Sequence, residues 1–314
     1  MKKEKKIIGA LEPVNIDSTS KILEQLRKCI CKIKLKGEYG TGFFCKILFG
    51  KETMKVLMTN YHVLKEKNLK ENKKLNLLLN DEKEVLIINL EIERKSYSNK
   101  DYDVTLIELK EEDKIKDYLE LDDNLFQDNA EIIYVDKSIY ILHYPNGNEA
   151  KISYGRLNNI NEGNIIHNCS IDNGSLGSPI LNLQNNKVIG IHKECLIPFN
   201  YNMGTLLKLP LKDFIDKQLM KEREIITIKN KEYEIVKELV KNEYGKIYQV
   251  LKDNKYYAIK VIPIRDEIKN KIKSIEKKAE ILSKFNCNNI VKYYDYSKDN
   301  NNIYILMEYC DGDN

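Results

Sequence analysis

The feature that most constrains this chain is the rhythm of its first two-thirds. From about residue 21 to residue 207, short apolar and β-branched runs are broken repeatedly by Gly, Asn and Asp. They include CICKIKLKGEYGTGFFCKI, KVLMTNYHVL, KLNLLLN, DYDVTLIEL, SIYILHYPNG and KVIGIHK. Short strands separated by turn residues at such spacing predict a barrel or sandwich built from antiparallel strands. Residues 210–221, PLKDFIDKQLMK, predict a helix: Pro stands at the start, and Leu211, Phe214, Ile215 and Leu219 form an apolar face. The charged stretch that follows reads as a linker, after which the grammar changes. Strands are expected at 233–240, 245–251 and 256–262, then a long helix over about 266–285, then strands at 290–296 and 303–309. The expected organisation is an N-terminal tail over 1–20, a β domain over 21–221, a linker over 222–230 and an α+β module over 231–314. The fold class is therefore mostly β with a smaller α+β partner.

Composition excludes several functions. The 314 residues suffice for two domains, and 52 basic against 48 acidic residues leave a net charge of only +4. Dispersed lysine with that balance is no basic stripe, so no nucleic-acid partner is expected. No run of eighteen apolar residues exists, and MKKEKKIIGALEP lacks the apolar stretch of a secretory signal, so no membrane partner is expected either. Seven cysteines form no CxxC pair, which argues against a disulfide framework or a metal site and for a reducing, cytoplasmic setting.

Two segments carry chemistry. Nucleophilic acyl transfer needs a hydroxyl or thiol, a base to take its proton, and a carboxylate to orient that base. His62 ends the run TNYHVL, Asp103 opens DYDVTLIEL, and a turn GSLGSP follows over residues 174–179. Alone, His62 would read as a half-buried structural imidazole. The order His, Asp, Gly-rich turn gives it a role, and Asp103, which leads directly into an apolar strand, is a better orienter than Asp101. His143 and His167 read as structural, and Cys169 and Cys195 lie off the turn.

This order, with GSLGSP followed by VIGIH over 188–192, resembles the chymotrypsin-like proteases, most closely the V8-like glutamyl endopeptidases, over about residues 21–215. The resemblance implies a double β-barrel with His62 as base, Asp103 as its orienter and Gly174 in the oxyanion hole. Ser170 and His192 would line the pocket for an acidic side chain. The nucleophile's place in G-x-S-G-S-P is taken by Leu176, which has neither a proton to give nor a lone pair to attack with. Ser175 is the alternative nucleophile, but a neighbour on a tight turn points its hydroxyl elsewhere. The domain needs no cofactor.

The second segment resembles the N-lobe of a eukaryotic protein kinase over about residues 231–314. YAIK at 257–260 stands for the V-A-I-K strand, and YILMEYCDGDN resembles the approach to the hinge. The resemblance implies Lys260 on the nucleotide's phosphates, Ile247 and Ala258 over the adenine, Met307 as gatekeeper, and Glu308 to Cys310 as hinge. Of the loop glycines only Gly245 remains, with Val240 and Asn242 at the other two positions. The helix position expected to hold a Glu for Lys260 falls on Lys278, flanked by Glu276 and Glu280. No catalytic loop or metal-binding Asp follows before DGDN, so ATP and Mg are expected only where such a lobe is completed.

Together these features predict an inactive protease-like cleft that holds a peptide or protein ligand, joined to a kinase-like ATP lobe. A further protein partner, or the chain's own barrel, is expected over the lobe's apolar residues Ile281, Leu282, Phe285 and Ile305. Two alternatives stand beside this reading: the front of a longer protein kinase fusion, and an active endopeptidase using Ser175.

Overall fold

The computed structural model describes residues 10–35, 38–80, 83–172, 174–196, 201–222, 224–265, 272–282, 284 and 291–310. The chain divides into two compact units, Met1–Gln218 and Leu219–Asn314.

The first unit opens with helix α1, Ile16–Lys28. Its start is set by Asn15, whose side-chain oxygen accepts from the N–H of Ser18 at 2.7 Å and satisfies one of the open donors of the first turn. The tail expected over 1–20 thus runs into a docked helix. Ile22 is fully buried, Gln25 donates to the Asn186 carbonyl at 2.9 Å, and Tyr140 donates to Gln25 at 2.6 Å.

The first sheet contains β1 (Ile30–Leu35), β2 (Glu38–Phe49), β3 (Glu52–Thr59), β4 (Lys74–Leu79), β5 (Glu84–Asn89), β6 (Ser96–Asn99), β7 (Val104–Glu108) and β8 (Leu119–Glu120). A short helix α2, Glu66–Glu71, lies between β3 and β4. The strand order is β5-β4-β1-β2-β3-β7-β6, with β8 parallel to β2. One core cluster packs Ile33, Phe44, Leu57, Leu64, Leu77 and Ile107.

After α3 (Ala130–Tyr134), β9 (Ser138–His143), β10 (Lys151–Asn161), β11 (Asn164–His167), β12 (Pro179–Asn182), β13 (Lys187–Leu196) and β14 (Tyr201–Leu206) close into a six-stranded barrel. Helix α4, Lys208–Glu222, then lays Leu211 and Phe214 against the first sheet, where Phe214 meets Phe49 and Tyr97 at ring separations of 6.2 and 5.8 Å. Leu219, expected on the same apolar face, is exposed.

The second unit is a six-stranded antiparallel sheet ordered β15-β16-β17-β18-β20-β19. Its strands are β15 (Ile225–Ile228), β16 (Lys231–Asn242), β17 (Gly245–Lys252), β18 (Lys255–Pro263), β19 (Tyr293–Lys298) and β20 (Asn302–Glu308), with helix α5 (Ile272–Leu282) between β18 and β19. The linker expected over 222–230 is corrected here. Ile225–Ile228 pairs with Lys231–Glu234 through a turn at Lys229 and Asn230, both with left-handed backbone. Ile226 and Ile228 are buried with Tyr233, Val250, Ile259 and Leu306, so tertiary burial turns a charged stretch into an edge strand. Ile281 and Leu282 are exposed, Ile305 is half-buried, and Phe285 lies outside the described residues.

The first sheet does not close by a ladder, since β5 and β6 are its two ends. Arg94, in the loop from β5 to β6, ties the end of β5 to the end of β7. Its Nε donates to the Asn89 carbonyl at 2.9 Å, and Nη1 donates to the Glu108 carbonyl at 3.0 Å. The guanidinium also forms a bidentate pair with Asp113 at 2.7 and 2.8 Å, both side chains being almost wholly buried. Removing one partner of such a pair strands a buried charge, a loss of about 3–5 kcal/mol, whereas an apolar replacement of both is far milder. Arg94→Ala is therefore expected to lower stability by about 3–5 kcal/mol in urea unfolding of the full chain. The double change Arg94→Met with Asp113→Leu is expected to recover more than half of that loss.

Candidate functional site: a histidine–aspartate dyad facing a leucine

His62 follows β3, and Asp103 immediately precedes β7, so the β3–β7 pairing brings them together from 41 residues apart. The His62 Nδ1 lies 2.7 Å from one carboxylate oxygen of Asp103, and the His62 backbone N–H donates to the other at 3.0 Å. A carboxylate only accepts, so Nδ1 carries the proton of that bond, and in the neutral ring the lone pair is on Nε2. Asp103 is buried and has a left-handed backbone with φ of 54°; the Asn60 side chain donates to its carbonyl at 2.8 Å. Asp101 is exposed and accepts no bond from His62.

The turn over residues 174–178 is clamped to the first sheet by Thr41. The Thr41 N–H donates to the Leu176 carbonyl at 2.9 Å, and its hydroxyl donates to the Gly174 carbonyl at 3.3 Å. The Thr41 hydroxyl also accepts from the Tyr144 N–H at 3.2 Å, and its carbonyl accepts from Thr59 Oγ1 at 2.8 Å. Gly177, with φ of 88°, approaches so closely that a Cβ there would lie 2.1 Å from the Thr41 carbonyl oxygen. Thr41 was missed in the sequence, although the GTG run containing it marks a close backbone approach. The N–H groups of Gly174 and Leu176 have no hydrogen-bond partner among the described residues, and both belong to the turn where an oxyanion would be received.

Leu176 stands in the cleft beside His62. The two share a pocket with Ile33, Leu35, Tyr39, Gly40 and Val63. Ser175 points elsewhere and is fully buried, donating to the Asp172 carbonyl at 2.7 Å with His143 Nδ1 at 2.6 Å. Since the hydroxyl's one hydrogen goes to that carbonyl, His143 Nδ1 must be the donor, and its Nε2 accepts from Ser153 Oγ at 2.8 Å. His143 is therefore a prop for Ser175 and not a base for it, and sequence reasoning missed this pairing.

His192 is buried in the second barrel with its ring 5.5 Å from that of His167, while Ser170 is exposed. Burial pushes the His192 imidazole down to about 3, and the neighbouring His167 and His143 act in the same direction. A neutral ring offers an acidic side chain a hydrogen bond but no charge. Cys169 is buried and burial pushes its thiol up to about 12, so it is no ready nucleophile. Every cysteine among the described residues is a free thiol, with Cys195 and Cys310 exposed.

In the second unit the register places the expected nucleotide residues together. Ile247 opposes Lys260, and Ala258 opposes Met307 two positions along, so all four share one sheet face. Glu308 alternates to the other face, and Cys310 lies beyond the strand. Gly245 has φ of 136°, and a Cβ there would sit 2.1 Å from the Val261 carbonyl. Asn242 caps its own turn by accepting from the Tyr244 N–H at 3.0 Å. Glu276 is engaged by Tyr296 and Lys298, each at 2.9 Å, and no carboxylate among the described residues bonds Lys260. The side chain of Lys278 lies outside the described residues.

Comparison with known proteins follows these two constellations. Residues 40–191 match the trypsin-like peptidase domain. Residues 233–314 match the protein kinase domain. The chain joins a trypsin-like peptidase domain to a stretch of protein kinase domain. The mouse serine/threonine-protein kinase PLK2 is 38% identical over 77 residues, which is 24% of this chain and 11% of that one. The Dictyostelium discoideum serine/threonine-protein kinase pakG is 41% identical over 69 residues, 21% of this chain and 5% of its own length. The chain thus spans about a tenth or less of these curated relatives. Among solved structures, a Glu endopeptidase is similar with 16% identity and a TM-score of 0.45, covering 61% of this chain and 90% of that one. A serine endoprotease from Yersinia pestis shows 10% identity and a TM-score of 0.47, covering 79% and 97%.

Two outcomes are expected. Gly177→Ala forces a left-handed alanine against the Thr41 carbonyl and should cost more than about 1–2 kcal/mol in urea unfolding. Acid should also weaken the first unit. Burial lowers His143 and His167 to about 4 and His192 to about 3, each from an ordinary 6.5. The unfolded chain therefore binds more protons as pH falls below about 6.5, so stability is full above that value and is lost progressively toward pH 3. A urea midpoint that holds constant between pH 6.5 and 4 would contradict this.

Proposed function

We infer that the first unit is a protease-like domain that binds peptide segments without cleaving them. The observation that carries this reading is Leu176 beside His62, in a turn that keeps its two glycines and its clamp to Thr41. Acyl transfer begins with a proton leaving a nucleophile for His62 Nε2, and leucine supplies neither partner of that step. What remains is a dyad able to accept a hydrogen bond and a turn able to receive a carbonyl. Without the covalent step such groups give only about 10³–10⁴-fold over water. Ser175 does not replace the nucleophile in this reading, because its hydroxyl serves Asp172 and His143.

The test is direct. The wild-type chain should neither hydrolyse peptides with Glu before the scissile bond nor take up a fluorophosphonate. Leu176→Ser should gain both, because His62 and Asp103 are already paired. Turnover by the wild type, or labelling at Ser175, would overturn the reading.

The second unit is read as a kinase-like nucleotide lobe with a weakened phosphate side, since Ile247, Ala258, Lys260 and Met307 share one face. Side chains at Val240 and Asn242 hinder the close backbone approach that phosphates need. The chain is expected to bind Mg-ATP with a Kd weaker than about 1 mM. A thermal-shift titration should show almost no stabilisation, and a micromolar Kd abolished by Lys260→Ala would refute this.

A further inference from the structure

We propose that Leu176 builds a receptor: with Ile33, Leu35, Tyr39 and Val63 it forms a seat for one large aliphatic side chain of an acidic, extended protein segment. The proposal rests on the non-cleaving reading above and goes further, by naming the ligand's chemistry.

The five residues line one pocket at His62. Gly40 lets Val63 into its wall, since a Cβ at that position would lie only 2.4 Å from Val63 Cγ1. Leu35, Val63 and Leu176 are half-buried, so a side chain entering the pocket removes further apolar surface from water on three walls. A serine at 176 would place a hydroxyl in that surface; leucine makes the wall continuous.

The charge around the pocket selects the partner. Lys34 lies between Ile33 and Leu35 in the chain and holds its ammonium 5.8 Å from the centre of the Tyr39 ring that lines the pocket. Lys65 stands exposed two residues after Val63. Among the described residues the one carboxylate bonded to a lining residue, Asp103, is committed to His62. An acidic residue next to the aliphatic one therefore meets the positive charge of Lys34 and Lys65. With Nδ1 protonated toward Asp103, His62 Nε2 presents a lone pair to the cleft and can accept a backbone N–H of the segment.

The experiment uses the full chain and the peptide acetyl-Ala-Ala-Leu-Asp-Ala-Ala-amide, with methyl NMR of the isoleucine, leucine and valine groups. The expected result is a saturable shift of the Ile33, Leu35, Val63 and Leu176 methyls. Binding should weaken tenfold or more when the peptide's Leu becomes Ala, and several-fold when its Asp becomes Lys. The exposed change Lys34→Glu should reverse the charge preference, so that the Lys peptide binds better than the Asp peptide. No shift of these methyls up to 10 mM peptide, or equal binding of the Leu and Ala peptides, would overturn the seat. A charge preference unaltered by Lys34→Glu would overturn the acidic partner. These outcomes are separate from hydrolysis or fluorophosphonate labelling, which bear on the non-cleaving reading alone.

Discussion

The contact of the 174–178 turn with Thr41 is what makes one site out of two sheets. His62 and Asp103 belong to the first sheet, and the turn leads into β12 of the second barrel. Their separation is set by bonds between the two sheets, among them that of Thr205 to the Tyr102 carbonyl beside Asp103. Thr41 on β2 adds bonds to the carbonyls of Gly174 and Leu176, while Gly177 admits the Thr41 carbonyl oxygen at a distance no Cβ would permit. The same turn orients Ser175 inward and Leu176 outward, which decides which side chain faces the imidazole.

The chemistry follows from that geometry. The Nδ1 bond to Asp103 orients the imidazole and the His62 backbone N–H holds the same carboxylate, which is the expensive part of a general base, since it uses a buried carboxylate with left-handed backbone. The nucleophile is a single side chain at the end of this arrangement. With Leu176 at that position the rest of the arrangement is folded and able to form hydrogen bonds.

Much of this was legible in the sequence, for reasons that differ by residue. His62 and Asp103 could be paired because each flanks a short apolar strand, and β3 and β7 are neighbours in the sheet. The strands of the second unit appeared within a few residues of their bounds because alternation and tight turns are local signals. Helix α1 was not seen. Its Asn15 cap and the apolar Ile22 and Leu26 are local too, but the residues that receive the helix, Tyr140 and Asn186, lie more than a hundred residues away. Strand β15 failed for a different reason: its partner β16 is next to it in the chain, but the short IITI run is hidden between charged residues. The His143–Ser175 pair joins residues 32 apart, and no motif announces a donor whose acceptor is another motif's neighbour.

The seam at Arg94 has a consequence for how such a sheet can change over time. A barrel closed by a ladder fixes the register of every strand, so an insertion in one must be matched around the ring. Here the closing bonds come from one guanidinium reaching two carbonyls and one carboxylate across the gap. Strand β5 can therefore lengthen or shorten without re-indexing the others, provided Arg94, in the loop that joins β5 to β6, still reaches. The edge free to vary is β5, since β6 pairs directly with β7, which Asp103 precedes.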